Sequence, residues 1–171
     1  RPCLTHQQRH STMPNHLLHS QAKEADLIIR SARPCDASQL AALLQQLGHD
    51  EPALDSCKLS RHLSQRGNRN VLVAERHNLL LGTCTLHLIE HLAHDFARSA
   101  IIEDMVVDVE HRDHGVGRAL ICEAINQARA WGCYKLALSR AASRQIAHHF
   151  NPSQGFEPHG ISLAVNLKTP P

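Results

Sequence analysis

Aromatic side chains are scarce: one Trp, one Tyr and three Phe, 3% of the 171 residues. Single-stranded nucleic acid is held largely by stacking bases on such rings, so that mode of binding has no platform here. A surplus of one charge is also missing. Eighteen Lys and Arg stand against sixteen Asp and Glu, a net charge of +2 with neutral histidines. That is too little for a phosphate backbone to be the main partner. No apolar run approaches the ~20 residues a helix needs to cross a bilayer, so no membrane span is expected. The six cysteines contain no Cys-x-x-Cys pair. Most of them fall in predicted helices or strands, which favours a reduced, cytoplasmic protein over a disulfide framework.

Apolar residues at 42% and charged residues at 20% are ordinary for a globular domain, and the length suits one domain with its own core. Histidine is the type in excess, at 15. His6, His10, His16 and His19 lie in a polar leader, His87, His91 and His94 cluster near the end of a predicted strand, and His148 and His149 are adjacent on a predicted helix. Residues 1–25 show no sustained periodicity and read as a disordered arm. The first Met is Met13, which makes residues 1–12 readable as an upstream extension. The arm is basic and free of acids until Glu24, so a transit peptide stays open. The domain proper is expected over residues 26–171.

Strands are predicted at 26–30, 71–75, 80–89, 101–109, 135–138 and 160–167, and helices at 34–48, 54–65, 115–130 and 143–150. Leu40, Leu43, Leu44 and Leu47 recur at helical spacing, as do Val116, Leu120, Ile121, Ala124, Ile125 and Ala128. His77-Asn78 is a turn candidate between two strands. This order gives an α/β (α+β) fold, a mixed central sheet of about six to seven strands with helices on both faces.

The most informative stretch runs from Ile102 to Leu120. A strand-like Ile-Glu-Asp-Met-Val-Val leads into Arg112-Asp113-His114-Gly115-Val116-Gly117-Arg118-Ala119 and an amphipathic helix. Glycines at such a junction let backbone N–H groups face outward at the positive end of the helix dipole, a setting for phosphate or pyrophosphate. Arg112 and Arg118 add positive charge beside it.

These residues resemble the acyl-CoA signature Arg/Gln-x-x-Gly-x-Gly/Ala of the GNAT superfamily of acetyl-CoA-dependent N-acyltransferases. Farther on, Ala147-His-His-Phe150-Asn-Pro-Ser-Gln-Gly155-Phe156 is similar to the family's A-x-x-F-Y-x-x-x-G-F. The resemblance covers about residues 26–168. In motif pattern it is nearest the small-amine members, of the aminoalkylphosphonate and glucosamine-6-phosphate types.

The resemblance implies direct transfer of acetyl from acetyl-CoA to the primary amine of a small molecule, by a cytoplasmic enzyme that can pair as a homodimer. It implies cofactor contacts from the backbone of Met105, Val106 and Val107 and from the loop Arg112, Asp113, His114, Gly115, Val116, Gly117, Arg118 and Ala119. It implies a catalytic carboxylate at Glu103, with Asp104 on the opposite face unless a bulge interrupts the strand. Asn151 stands where the family usually carries the Tyr that protonates the leaving thiolate. His148 is the expected substitute, with His149 beside it; water in that role stays open. Two other readings also stay open: a peptide or protein N-acetyltransferase, and a CoA-binding module with impaired catalysis. His87, His91 and His94 are candidates for substrate phosphate or a divalent ion, and no metal site is assigned.

Overall fold

Strand β1 (Ile28–Ser31) leads through a 3-10 turn (Pro34–Asp36) into α1 (Ala37–Leu44), a second 3-10 turn (Gln45–Leu47) and α2 (Ser56–Ser64). Strands β2 (Arg69–Arg76) and β3 (Leu79–Glu90) follow, then a helical turn at Ala93–Phe96, β4 (Arg98–Val107), a 3-10 turn (Val109–His111), α3 (Val116–Ala130) and β5 (Cys133–Leu138). The computed structural model describes residues 27–48, 53–65, 67–138 and 155–157. Its five strands form one mixed sheet in chain order, antiparallel from β1 to β4 and parallel between β4 and β5. The parallel step exists because α3 carries the chain back across the sheet.

The local reasons are legible. His77 and Asn78 have φ of 50° and 64°, the left-handed pair that a two-residue hairpin turn requires. Helix α2 starts at Asp55, whose carboxylate accepts from Cys57 N at 2.8 Å and Lys58 N at 3.2 Å. Strand β4 stops at Val107 rather than running on to 109. Asp108 turns its carboxylate onto the Glu110 N–H at 3.0 Å, a side-chain bond that competes with further strand pairing.

The two sheet faces have separate cores. Val116, Leu120, Ile121, Ala124 and Ala128 of α3 are buried against Leu72, Leu86, Ala100 and Ile102. Each large aliphatic side chain there contributes about 1.5–3 kcal/mol of burial. On the other face Leu40 and Leu43 of α1 pack against Val73, Leu80 and Val106. Arg30 ties β1 to the start of α1. Its guanidinium donates to both oxygens of buried Asp36 at 2.7 and 2.9 Å and to Glu75 at 2.6 Å. That fork holds the Asp36 carboxyl below the usual carboxylate range.

The described sheet has five strands where six to seven were expected. The expected strand at 160–167, the helix at 143–150 and the arm at 1–25 lie outside the described residues. The helix expected over 34–48 is a helix only at Ala37–Leu44, flanked by the two 3-10 turns.

Candidate active site

Among the described residues, strand β4 is paired on both sides only along its first half. Its parallel register with β5 ends at Ile102↔Leu138, while its antiparallel register with β3 continues to Val107↔Gly82. Among the described residues, the edge of β4 from 103 to 107 that faces away from β3 therefore has no strand beside it. A strand edge of this kind is a template for another extended chain. Asp108 N–H donates to Leu81 O of β3 at 2.9 Å. Successive peptide groups alternate along a strand, so those of Val107 point to the open edge and those of Val106 point to β3. Arg112 lies along that edge, its Nε donating to Val107 O at 3.2 Å.

The register of β4 shifts between Thr83↔Val106 and Thr85↔Glu103, with Asp104 at φ 49°. This is a β-bulge, one extra residue that reverses the facing of all that follows. Ile102 packs on the α3 face, and beyond the bulge Met105 and Val107 pack on that face too, while Val106 faces α1. Glu103 takes the face opposite α3, half-buried beside its cross-strand partner Thr85. Asp104 projects at the bulge and is exposed; the regular-strand assignment of its face does not hold.

The loop after β4 ends in the left-handed residues Asp113 (φ 61°) and Gly115 (φ 81°). Gly115 caps α3 with no side-chain bond, and the first described intrahelical bond at this end is Ala119 N to Gly115 O at 3.0 Å. The amides of Val116, Gly117 and Arg118 thus precede any intrahelical acceptor. Arg112, Asp113, His114, Gly115 and Arg118 are exposed, whereas Val116 is buried and anchors the turn. His114 donates from Nδ1 to Arg112 O at 2.6 Å, so its ring folds back onto the loop.

Two features that place this turn escaped sequence reasoning. Gly82 of β3 lies beneath it: a Cβ there would come within 3.0 Å of Val106 O, 3.2 Å of Val116 Cγ1 and 3.3 Å of Leu120 Cδ1. A glycine inside a strand signals such a close approach. The other is Gln46, after α1. Its Nε2 donates to Asp108 Oδ2 at 3.0 Å and its Oε1 accepts from Val109 N at 3.1 Å. No sequence pattern pairs residues this far apart. The Asp108 carboxyl is held below its ordinary range by Gln46 first, then by His111 Nδ1 at 3.0 Å.

The other candidates separate. His87 shares the Glu103 face, two pairs along the ladder at His87↔Ile101. His91 instead bonds Ser99 Oγ through Nε2 at 2.7 Å and meets the Tyr134 ring edge-on at 5.9 Å. The side chain of His94 is not among those described, and His148, His149 and Asn151 lie outside the described residues. Among the described residues no three His, Cys, Asp or Glu come together as a metal site. Gly155 has φ 79°, and Phe156 packs against the α3-side core. No described helix is long and apolar enough to cross a membrane.

Comparison with known proteins bears on the same elements. A family model described as "Acetyltransferase (GNAT) family" matches residues 39–156. The glucosamine 6-phosphate N-acetyltransferase of Trypanosoma brucei brucei is 26% identical over 148 residues, 83% of this chain and 99% of that protein. The crystal structure of a Trypanosoma brucei acetyltransferase is similar at TM-score 0.73 and 26% identity, covering 83% of this chain and 100% of that one. Glucosamine-6-phosphate N-acetyltransferase from Arabidopsis thaliana shares the fold at TM-score 0.72 and 20% identity, over 82% of this chain and 98% of that one.

Proposed function

The chain belongs to the acetyltransferase (GNAT) family and is an acyl-CoA N-acyltransferase, and from that premise we propose that it moves acetyl from acetyl-CoA directly to the primary amine of a small phosphorylated or amino-sugar-like molecule. The observation that carries this reading is the edge of β4, without a neighbouring strand among the described residues, ending beside the start of α3, which no side chain caps. An extended amide-bearing arm fits the edge, and a pyrophosphate fits the N–H groups at the helix start. Both ends lie on one continuous stretch, Met105 to Ala119. The acceptor class rests on the glucosamine 6-phosphate N-acetyltransferase relative, which the chain matches over almost its full length.

Acetyl-CoA supplies an activated acyl thioester. The chain's own residues would do the rest. Val107 N–H, turned to the open edge, is a donor for an oxygen that gains charge during acyl transfer. Gly115, Gly117 and the amides between them and Ala119 would hold phosphate, with Arg112 and Arg118 adding charge. Glu103 is the proposed base: it is half-buried, one residue from the bulge, on the face that α1 covers farther along. An ammonium acceptor must lose a proton before it can attack, and a carboxylate there can take it. His148 is the proposed donor toward the departing thiolate in place of the family's Tyr.

The test is calorimetric binding of acetyl-CoA followed by thiol release against a panel of amino-sugar phosphates, aminoalkylphosphonates and polyamines. Binding with turnover on the phosphorylated amines supports the reading. Turnover on polyamines alone overturns the acceptor class, and absence of binding overturns the site. Glu103→Gln is expected to lower kcat by about 10²–10⁴-fold while acetyl-CoA affinity stays within about twofold. Equal loss in kcat and affinity would remove Glu103 as the base.

A further inference from the structure

Gln46 makes two hydrogen bonds to one short piece of chain, the exit of β4. Its amide nitrogen donates to Asp108 Oδ2 at 3.0 Å and its amide oxygen accepts from Val109 N–H at 3.1 Å. Asp108 is the root of the loop: its other oxygen accepts from Glu110 N and His111 Nδ1, both at 3.0 Å. Its own N–H reaches Leu81 O at 2.9 Å. The residue before it, Val107, ends the open edge and receives Arg112. Gln46 therefore ties the end of the α1 segment to the point where the open edge turns into the phosphate-binding loop. It is exposed and belongs to neither hydrophobic core, so its contribution is the geometry of that point.

We propose that Gln46 is a positioning residue for the acyl donor: by holding Asp108 and Val109 it sets the angle between the open edge of β4 and the loop that leads to α3. The proposal rests on the acyl-CoA site described above. A flexible exit would let the edge and the helix start sample many relative placements, and a ligand that spans both must then fix them on binding. That cost appears as lost affinity. A glutamine suits the position because it offers a donor and an acceptor together and adds no charge beside a site for polyanions.

The experiment uses the full chain and acetyl-CoA as probe, with calorimetry, steady-state kinetics and melting temperature on each variant. Gln46→Ala is expected to weaken acetyl-CoA binding about fivefold, the effect of losing one hydrogen bond of average net strength. KM for acetyl-CoA should rise with kcat near wild type. A reciprocal exchange separates positioning from bulk stability. Gln46→Glu keeps the acceptor for Val109 N–H but sets a carboxylate against Asp108, and Asp108→Asn removes the acceptor that Gln46 uses. Each alone should weaken binding. The double variant restores one donor facing one acceptor, and since Gln46→Glu adds one negative charge and Asp108→Asn removes one, its net charge equals that of wild type; binding should return to within about twofold of wild type. Wild-type binding with unchanged single variants, or a double variant as weak as the worse single, overturns this proposal alone. A wild-type chain that binds no acetyl-CoA overturns the site and this proposal with it.

Discussion

Gly82→Ala tests the packing that brings the start of α3 to β4. The new methyl would sit 3.0 Å from Val106 O, 3.2 Å from Val116 Cγ1 and 3.3 Å from Leu120 Cδ1. Two of these neighbours are side chains that can shift slightly, but the oxygen belongs to the backbone of a central strand. Val116 and Leu120 are themselves fully buried, so their movement disturbs the rest of the α3 face. Overpacking of this kind costs about 1–3 kcal/mol. At about 2–4 °C per kcal/mol for a domain of this size, the melting temperature should fall by about 2–12 °C. The first turn of α3 is the part that must move, so KM for acetyl-CoA should rise as well. Gly67→Ala is the control: a Cβ there meets nothing within 4 Å, and the change should be neutral or slightly stabilising, by about 0.4–1 kcal/mol. Thermal unfolding by circular dichroism and thiol-release kinetics report both effects. If Gly82→Ala melts with wild type and keeps its KM, the close approach is not what positions the helix.

Gly115 has φ +81° and open space around its missing side chain, so substitutions there test backbone strain alone. Stability should fall in the order Gly, Asn, Ala, Val, with Ala costing about 1–2 kcal/mol; equal melting temperatures for Asn and Val would contradict this. The Asp36 carboxyl is held down first by its bond to Arg30. Its folded value lies below the unfolded value of about 3.9, so its contribution is complete above that value and is lost as pH falls through the folded one. Asp36→Asn should cost about 2 kcal/mol near neutrality, discounted from the cost of breaking a fully buried pair. The gap to wild type should close below about pH 4, as urea titrations across pH would show. Burial pushes the Cys84 thiol up to about 12, whereas Cys35, Cys57 and Cys122 are exposed. A brief iodoacetamide pulse read by mass spectrometry should label those three and spare Cys84 until the chain unfolds.

The elements most legible beforehand were those with a local signal. The α3 stripe at Val116, Leu120, Ile121, Ala124 and Ala128 is buried as its spacing requires, and Ile125 at the stripe's edge is only partly so. The His77-Asn78 turn carries its own backbone preference. The glycine loop was readable because strand, Gly-x-Gly and helix follow one another within one stretch of chain. The helix ends were less legible: the 3-10 turns flanking α1 depend on Asp36 finding Arg30 and on Gln46 finding Asp108, both tertiary contacts. The bulge at Asp104 has no glycine to announce it. It was foreseeable only as an alternative, and the residues on either side decide it by packing, Ile102 and Met105 on one face and Val106 on the other.

Composition and order of motifs, by themselves, determined that this is an α/β domain with a phosphate-suited turn between a buried strand and an amphipathic helix. Those properties follow from hydrophobic period and glycine placement, which are local in the chain. Tertiary structure decided what the turn is joined to. The parallel pairing of β4 with β5 up to Ile102, the reversal of faces at Asp104, the room made by Gly82 and the Gln46–Asp108 tie each require residues far apart in sequence to meet. Backbone alternation and close packing then dictate which amides face the open edge and how near the helix start can come.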